Sequence, residues 1–318
     1  MSWKASPYLF PCTIEYSLIC AAVIYKMCRN VGRRFCAASA ADAYPPHEHI
    51  SATGVDCDKA NRGLFFGLFI TVLTLVAVSC YFVFDDRLYG SQSSSLTFFA
   101  TEIMLLAVLS ATVVAATASF RRLRFVPTSA ASQVNHGGID SSLLVIALVG
   151  VYGLECFHFV SAVGGSIDAG GDDSGGGDDG GGGSGGNGGG SGGGGGAIVS
   201  ALAMGTSVLA FSQATVQTVF IVDALQRHVR SAEQARSKPG RPMVTFLLLC
   251  NLALWIVCIF EVKKAENLPI HARFYGYLAW SIISHLCVPL VIFFRFHSTV
   301  CLSDIWINAY TLKPPPSK

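Results

Sequence analysis

Several ionisable or amide side chains in this sequence sit inside apolar runs, where they are expensive. Glu15 lies in LFPCTIEYSLICAAVIY, Glu102 in LTFFATEIMLLAVL, and Glu155 with His158 in VYGLECFHFV. Gln213 and Gln217 fall in FSQATVQTVFIV, Asn251 in FLLLCNLALWIV, and His285 in WSIISHLCVPL. A charge at the centre of a bilayer costs at least about 2.5–3.5 kcal/mol, so such groups turn to a bundle interior or to water. Spacing pairs some of them. Gln213 and Gln217 are one helical turn apart, as are Ser281 and His285, and Glu155 and His158 are separated by three residues. A carboxyl and an imidazole one turn apart can hand a proton to each other directly or through water, which is the chemistry of a proton path.

Each candidate has a structural rival. Gln213 and Asn251 can serve as interhelical ties, as amides do between membrane helices. His158 can be a satisfied packing partner. Glu102, one turn inside its run, can reach extracellular water, and Asp223 and Glu261 lie near helix ends where snorkelling serves. Glu15 is harder to dismiss, because its run continues apolar well beyond it.

The elements that must position these groups follow from composition. Charged residues make up 13% of the chain and mean hydropathy is +0.50, against roughly 25% charged in a soluble domain. The apolar residues form blocks long enough for a crossing helix, which takes roughly 20 residues. These blocks, 10–27, 63–84, 95–119, 141–163, 197–225, 243–262 and 274–295, predict an all-α, polytopic transmembrane bundle of seven helices. Connections 28–62, 120–140, 226–242 and the tail after 295, with their helix ends, collect Arg29, Arg33, Arg34, Arg121, Arg122, Arg124, Arg227, Arg230, Arg236, Lys238, Arg241 and Arg295. The other side holds Lys4, Arg87, Lys263, Lys264 and Arg273. This asymmetry predicts that the Arg-rich side and the C-terminus are cytoplasmic. It accounts for the basic clusters without a nucleic-acid partner.

The remaining segments exclude more than they assign. Residues 164–196 are almost wholly Gly with interspersed Asp, too poor in apolar surface to offset ordering entropy, and predict a disordered extracellular spacer. Residues 28–62 read as a linker and 296–318 as a cytoplasmic tail. No Walker or HExxH motif is present, so no enzyme and no cofactor are expected. Cys28, Cys36, Cys57, His47 and His49 share one connection but match no compact zinc spacing, so no metal is expected either. Most of the eleven cysteines fall in apolar runs, where Cys behaves as a small hydrophobe.

Four blocks are similar to the otopetrin family of proton channels: FPCTIEYSLICAAVIYKMCRNVG at 10–32, SQATVQTVFIVDALQR at 212–227, VTFLLLCNLALWIVCIFE at 244–261, and FYGYLAWSIISHLCVPLVIFFRFHSTVCLSDIW at 274–306. They occur in family order over about a third of the chain. The resemblance implies a twelve-helix protein of two six-helix halves, assembled as a plasma-membrane homodimer that admits protons when the outside is acidified. On that likeness TIEYSLI (within 1–27) is the last helix of the N-terminal half, and 63–295 is the C-terminal half. The five preceding helices are not in this sequence, which predicts a fragment of the longer channel. The likeness also implies that Glu15 and His285 meet where the halves join, with Tyr16 adjoining, and that Gln213 and Asn251 line the C-terminal barrel. Its partners would be protons, the lipid bilayer, sterol and a second copy of the chain.

Two other classes remain as alternatives. A seven-helix receptor predicts an acidic-Arg-Tyr end to the third helix and Asn-Pro-x-x-Tyr in the seventh, whereas the sequence has SFRRLRF and SHLCVPL. A secondary transporter would use helices broken near the midplane, for which Gly205 and Pro289 are the available breakers.

Overall fold

In the computed structural model the described residues are 6–30, 59–87, 91–125, 136–171, 192–265, 271 and 274–310. Apolar chain in lipid must satisfy its backbone internally, and a helix does so within one segment. The runs accordingly form α1 (Ser6–Asn30), α2 (Asn61–Arg87), α3 (Ser91–Phe120), α4 (His136–Gly171) and α5 (Gly192–Ala224). A short α6 (Ala232–Ser237), α7 (Arg241–Ala265) and α8 (Tyr277–Asn308) complete the set. Six of them, α2, α3, α4, α5, α7 and α8, are long and apolar enough to cross a membrane. α1 is helical over 25 residues, but its apolar stretch among the described residues is the shorter Tyr16–Tyr25. The all-α polytopic bundle is therefore observed with six such spans among the described residues, and the seventh expected crossing is present as a helix.

The six spans pack in a closed order, α2 on α7, α7 on α8, α8 on α4, α4 on α5, α5 on α3 and α3 back on α2. α1 lies outside this ring against α8, α7 and α4. On α3 the buried Leu105, Leu106, Leu109, Val113, Ala116 and Phe120 recur every three to four residues, the period of one helix face. The opposite surfaces stay apolar, with Phe65, Phe69 and Val72 on α2 and Val145 and Val149 on α4 exposed, as a lipid-facing surface requires.

Lipid is as apolar as the helices, so close backbone approach has to hold them together. On α2 a Cβ at Gly63 would overlap the Pro242 carbonyl of α7, and on α4 one at Gly150 would overlap the Leu290 side chain of α8. Hydroxyls inside the spans bond to carbonyls one turn back, Thr74 to Ile70 at 2.8 Å, Ser110 to Leu106 at 2.8 Å and Thr206 to Leu202 at 2.8 Å, which satisfies them without water.

The Arg-rich end is tied off by short pieces. β1 (Arg124–Phe125) pairs antiparallel with β2 (Arg227–His228), and Val229 N–H donates to the Ala309 carbonyl at 3.0 Å. Ser231 caps α6 by accepting from Gln234 N–H at 3.3 Å. Gly240, at φ +83, turns the chain into α7 directly against Phe120, in a conformation that favours glycine. The Arg241 guanidinium lies 4.0 Å over Trp306, whose indole N–H donates to Thr245 Oγ1 at 3.1 Å.

Two boundaries differ from expectation. The last helix does not end at 295; it continues to Asn308, because Cys301, Leu302 and Ile305 supply one more buried face. The Gly-rich stretch is helical at both ends, α4 reaching Gly171 and α5 starting at Gly192. Residues 31–58 of the linker, 172–191 of the spacer and 311–318 of the tail lie outside the described residues.

Candidate functional site

Three helices of the ring place polar side chains in its interior, and these form one chain. Arg295 of α8 donates through Nη1 to Gln213 Oε1 of α5 at 2.7 Å. Gln213 Nε2 donates to Gln217 Oε1 at 2.8 Å, and Gln217 Nε2 donates to Asn251 Oδ1 of α7 at 2.8 Å. Asn251 Nδ2 returns to Gln217 Oε1 at 3.2 Å and donates to the Leu247 carbonyl at 2.9 Å. All four are buried, Arg295 at 4% exposure and Asn251 at 0%. Buried amides without partners cost several kcal/mol, and the helical spacing of Gln213 and Gln217 lets each satisfy the next. By helical rise, Gln213 and Asn251 lie about 15 Å, and Arg295 about 20 Å, from the Arg-rich ends of their helices.

Arg295 also lines a cavity of about 90 Å³, whose other lining residues lie on the far side of it from the Arg-rich end. Its polar lining comprises Glu102 of α3, Glu155 and His158 of α4, Thr206 and Ser207 of α5, and His271, set among Phe98, Phe99, Leu254, Val288 and Val291. At its mouth the His158 and His271 rings stack, 4.7 Å apart and 21° from parallel, beside Trp280. Ser161 Oγ donates to the His158 carbonyl at 2.9 Å and is hydrogen-bonded to His271 Nδ1 at 2.6 Å. His158 Nδ1 lies 3.8 Å from the Glu155 carboxylate. Tyr275 Oη donates to the Phe157 carbonyl at 2.9 Å and its ring stacks near Trp280, bracing the mouth.

The arrangement provides titratable carboxyl and imidazole groups at one end, a permanent cation below them, and a line of amides beyond. An amide neither gains nor loses a proton near neutral pH, so this line orders hydrogen bonds without itself being a relay base.

Of the residues singled out from sequence, Gln213, Gln217 and Asn251 come together, and Glu102, Glu155 and His158 share one cavity. His285 does not join them. It is exposed on α8, its Nδ1–H bonded to the Ser281 carbonyl at 2.7 Å. Tyr16 is 71% exposed on α1. Glu15 falls in α1, but its side chain lies outside the described residues, and so does any pairing with His285. Sequence reading missed Arg295 and His271. Arg295 stands at the end of an apolar block, where a cytoplasmic flank would stand, although the apolar run continues past it. His271 sits in a connection, where periodicity carries no signal.

The fold and the site define a polytopic membrane bundle, six helices in a ring around an internal polar path. The Otopetrin family model matches residues 1–296, and the chain belongs to the otopetrin family. It is 35% identical to "Proton channel OtopLc" of Drosophila melanogaster over 98% of this chain and 18% of that protein. It is 21% identical to human "Proton channel OTOP2" over 94% of this chain and 57% of that protein, and 23% identical to human "Proton channel OTOP3" over 95% and 51%. The chain thus spans a small part of the fly protein and just over half of the human ones.

Proposed function

We propose that this chain is the C-terminal half of an otopetrin proton channel, with α1 as the last helix of the preceding half, and that it passes protons inward when the extracellular side is acidified. The observation that carries the reading is the continuity from cavity to Arg295 to the Gln213–Gln217–Asn251 chain within one ring of helices. The names of its relatives point the same way. The Arg-rich end faces the cytoplasm, so the histidine-lined mouth faces outward.

Protons enter at the mouth, where His271 exchanges a proton through Nε2 because Nδ1 is committed to Ser161. His158 and Glu155 take it inward along the wall. At the floor the fixed charge of Arg295 repels metal cations, which need a pathway wide enough to pass and oxygens to replace their hydration. A proton needs neither; it moves by rearranging hydrogen bonds in water that the amide line orders. Glu15 and His285 form a second, peripheral station at the seam with the N-terminal half, a role supported by the packing of α1 on α8 and by the family likeness. The working protein is a plasma-membrane homodimer with a cytoplasmic C-terminus and sterol among its lipids.

The test is proton uptake. The protein containing this chain joined to its N-terminal half, reconstituted in vesicles holding a pH dye, should acidify the lumen on an external acid step. Uptake no faster than in protein-free vesicles would reject the reading.

A further inference from the structure

A second cavity, of about 250 Å³, lies between α4 and α5 on the outer, lipid-facing side of the ring. Phe159, Val160, Val208 and Phe211 form its apolar walls and are themselves exposed. Glu155 and Ser207 border both this cleft and the central cavity, so at that point the wall is one side chain thick. The cleft's base is fixed. Phe211 stacks on Tyr152 at 4.2 Å and 21°, and Tyr152 Oη is 2.7 Å from Thr215 Oγ1. Ser212 spends its hydroxyl proton on the Val208 carbonyl at 2.7 Å. The carboxylate of Glu155 is therefore the charged group that an occupant arriving from lipid would meet. The titratable and charged groups near it are His158 on its own helix and, across the central cavity, Glu102, His271 and Arg295.

From this geometry we propose that the cleft binds lipophilic amines that reach it through the bilayer. Charge complementarity selects the class: the ammonium pairs with Glu155, the alkyl chain lies among Phe159, Val160, Val208 and Phe211, and the rest of the chain stays in lipid. The cleft is smaller than drug-sized pockets of roughly 300–1,000 Å³, which suits one chain and a compact head. An amine so placed would sit against the wall of the proton path, a consequence that rests on the function proposed above, whereas the binding itself does not.

The test is photolabelling of the full-length protein in phosphatidylcholine vesicles, using a dodecylamine with a mid-chain diazirine. Label should map to 155–160 and 207–212, and N,N-dimethyldodecylamine should displace it while dodecanol does not. Glu155→Gln should weaken binding about tenfold, and Glu155→Asp should restore most of it. Val208→Trp, an apolar change on the lipid face, should exclude the label while leaving proton uptake unchanged. Label that persists in Glu155→Gln, that dodecanol displaces equally, or that maps elsewhere would overturn the proposal. Uptake is measured in the same vesicles without amine. Lost uptake with intact, Glu155-dependent labelling counts against the channel reading alone, and intact uptake without labelling counts against the cleft alone.

Discussion

Arg295 and Gln213 meet at 2.7 Å between α8 and α5, with the guanidinium 4% exposed and the amide 1% exposed. A cation sealed in the interior is tolerable when it is hydrogen-bonded, and a hydrogen bond to a charged group contributes about 1.5–3 kcal/mol. Gln213→Leu should therefore destabilise the bundle by about 1.5–3 kcal/mol, read as an earlier thermal unfolding transition in detergent. Gln213→Glu, which supplies a carboxylate at the same place, should unfold close to wild type.

At the Arg-rich end, close helix contact is set by glycine. Gly63→Ala would push a methyl into the Pro242 carbonyl, where backbone has to move, and overpacking of this kind costs roughly 1–3 kcal/mol. Gly205→Ala meets nothing within 4 Å, and should be neutral or stabilising by up to about 1 kcal/mol through helix propensity. Comparing the two melting curves separates a packing glycine from an incidental one, and equal melting temperatures would contradict this assignment.

Much of this fold was legible because lipid imposes a simple rule: an apolar block of the right length becomes a helix. The pairing of Gln213 with Gln217 was legible for the same kind of reason, since spacing alone puts both on one face. Their link to Asn251 and Arg295 was not, because partners on three different helices are chosen by tertiary packing. Arg295 misled for a physical reason, since arginine at a block's end is what a cytoplasmic boundary looks like. Only the apolar residues beyond it, Cys301, Leu302 and Ile305, place it inside. His285 was singled out by depth along its helix, but depth does not say which side of the helix faces the ring.

The Arg-rich end carries a prediction in alkaline solution. Tyr310 is 8% exposed, its hydroxyl donates to the Pro239 carbonyl at 2.9 Å, and burial raises its pKa well above the ordinary 10.0, with Arg241 pulling modestly the other way. The folded state thus holds the phenol proton more tightly than the unfolded chain. Its contribution is complete below about pH 10 and is lost as pH rises beyond that. Melting temperature should fall more steeply above about pH 10 in wild type than in Tyr310→Phe; parallel curves would show that Tyr310 is not the group responsible.

The same end depends on Arg241, which lies 4.0 Å over Trp306 and 5.7 Å from Tyr310. A desolvated cation–π contact contributes about 2 kcal/mol. Arg241→Ala should lower stability by at least that much, and Arg241→Lys by less. Equal losses in both variants would show that the planar guanidinium is not what the aromatic pair recognises.

His271 tests the mouth of the path. His271→Ala removes the stacked partner of His158 and the ring hydrogen-bonded to Ser161. Proton uptake driven by mild external acid should slow several-fold, while uptake driven by strong acid should be less affected. An unchanged dependence on external pH would remove His271 from the entry route.

The central claim is that protons follow the buried chain from Arg295 to Asn251, and Gln217 is its middle link, accepting from Gln213 and Asn251 and donating to Asn251. The most direct measurement is proton uptake by vesicles carrying the full-length protein with Gln217→Leu, compared with Gln217→Glu, after both variants are shown to melt as folded proteins. Gln217→Leu should cut uptake at least about tenfold, equivalent to about 1.4 kcal/mol of barrier, and Gln217→Glu should retain most of it. Wild-type uptake in a folded Gln217→Leu protein would contradict the route.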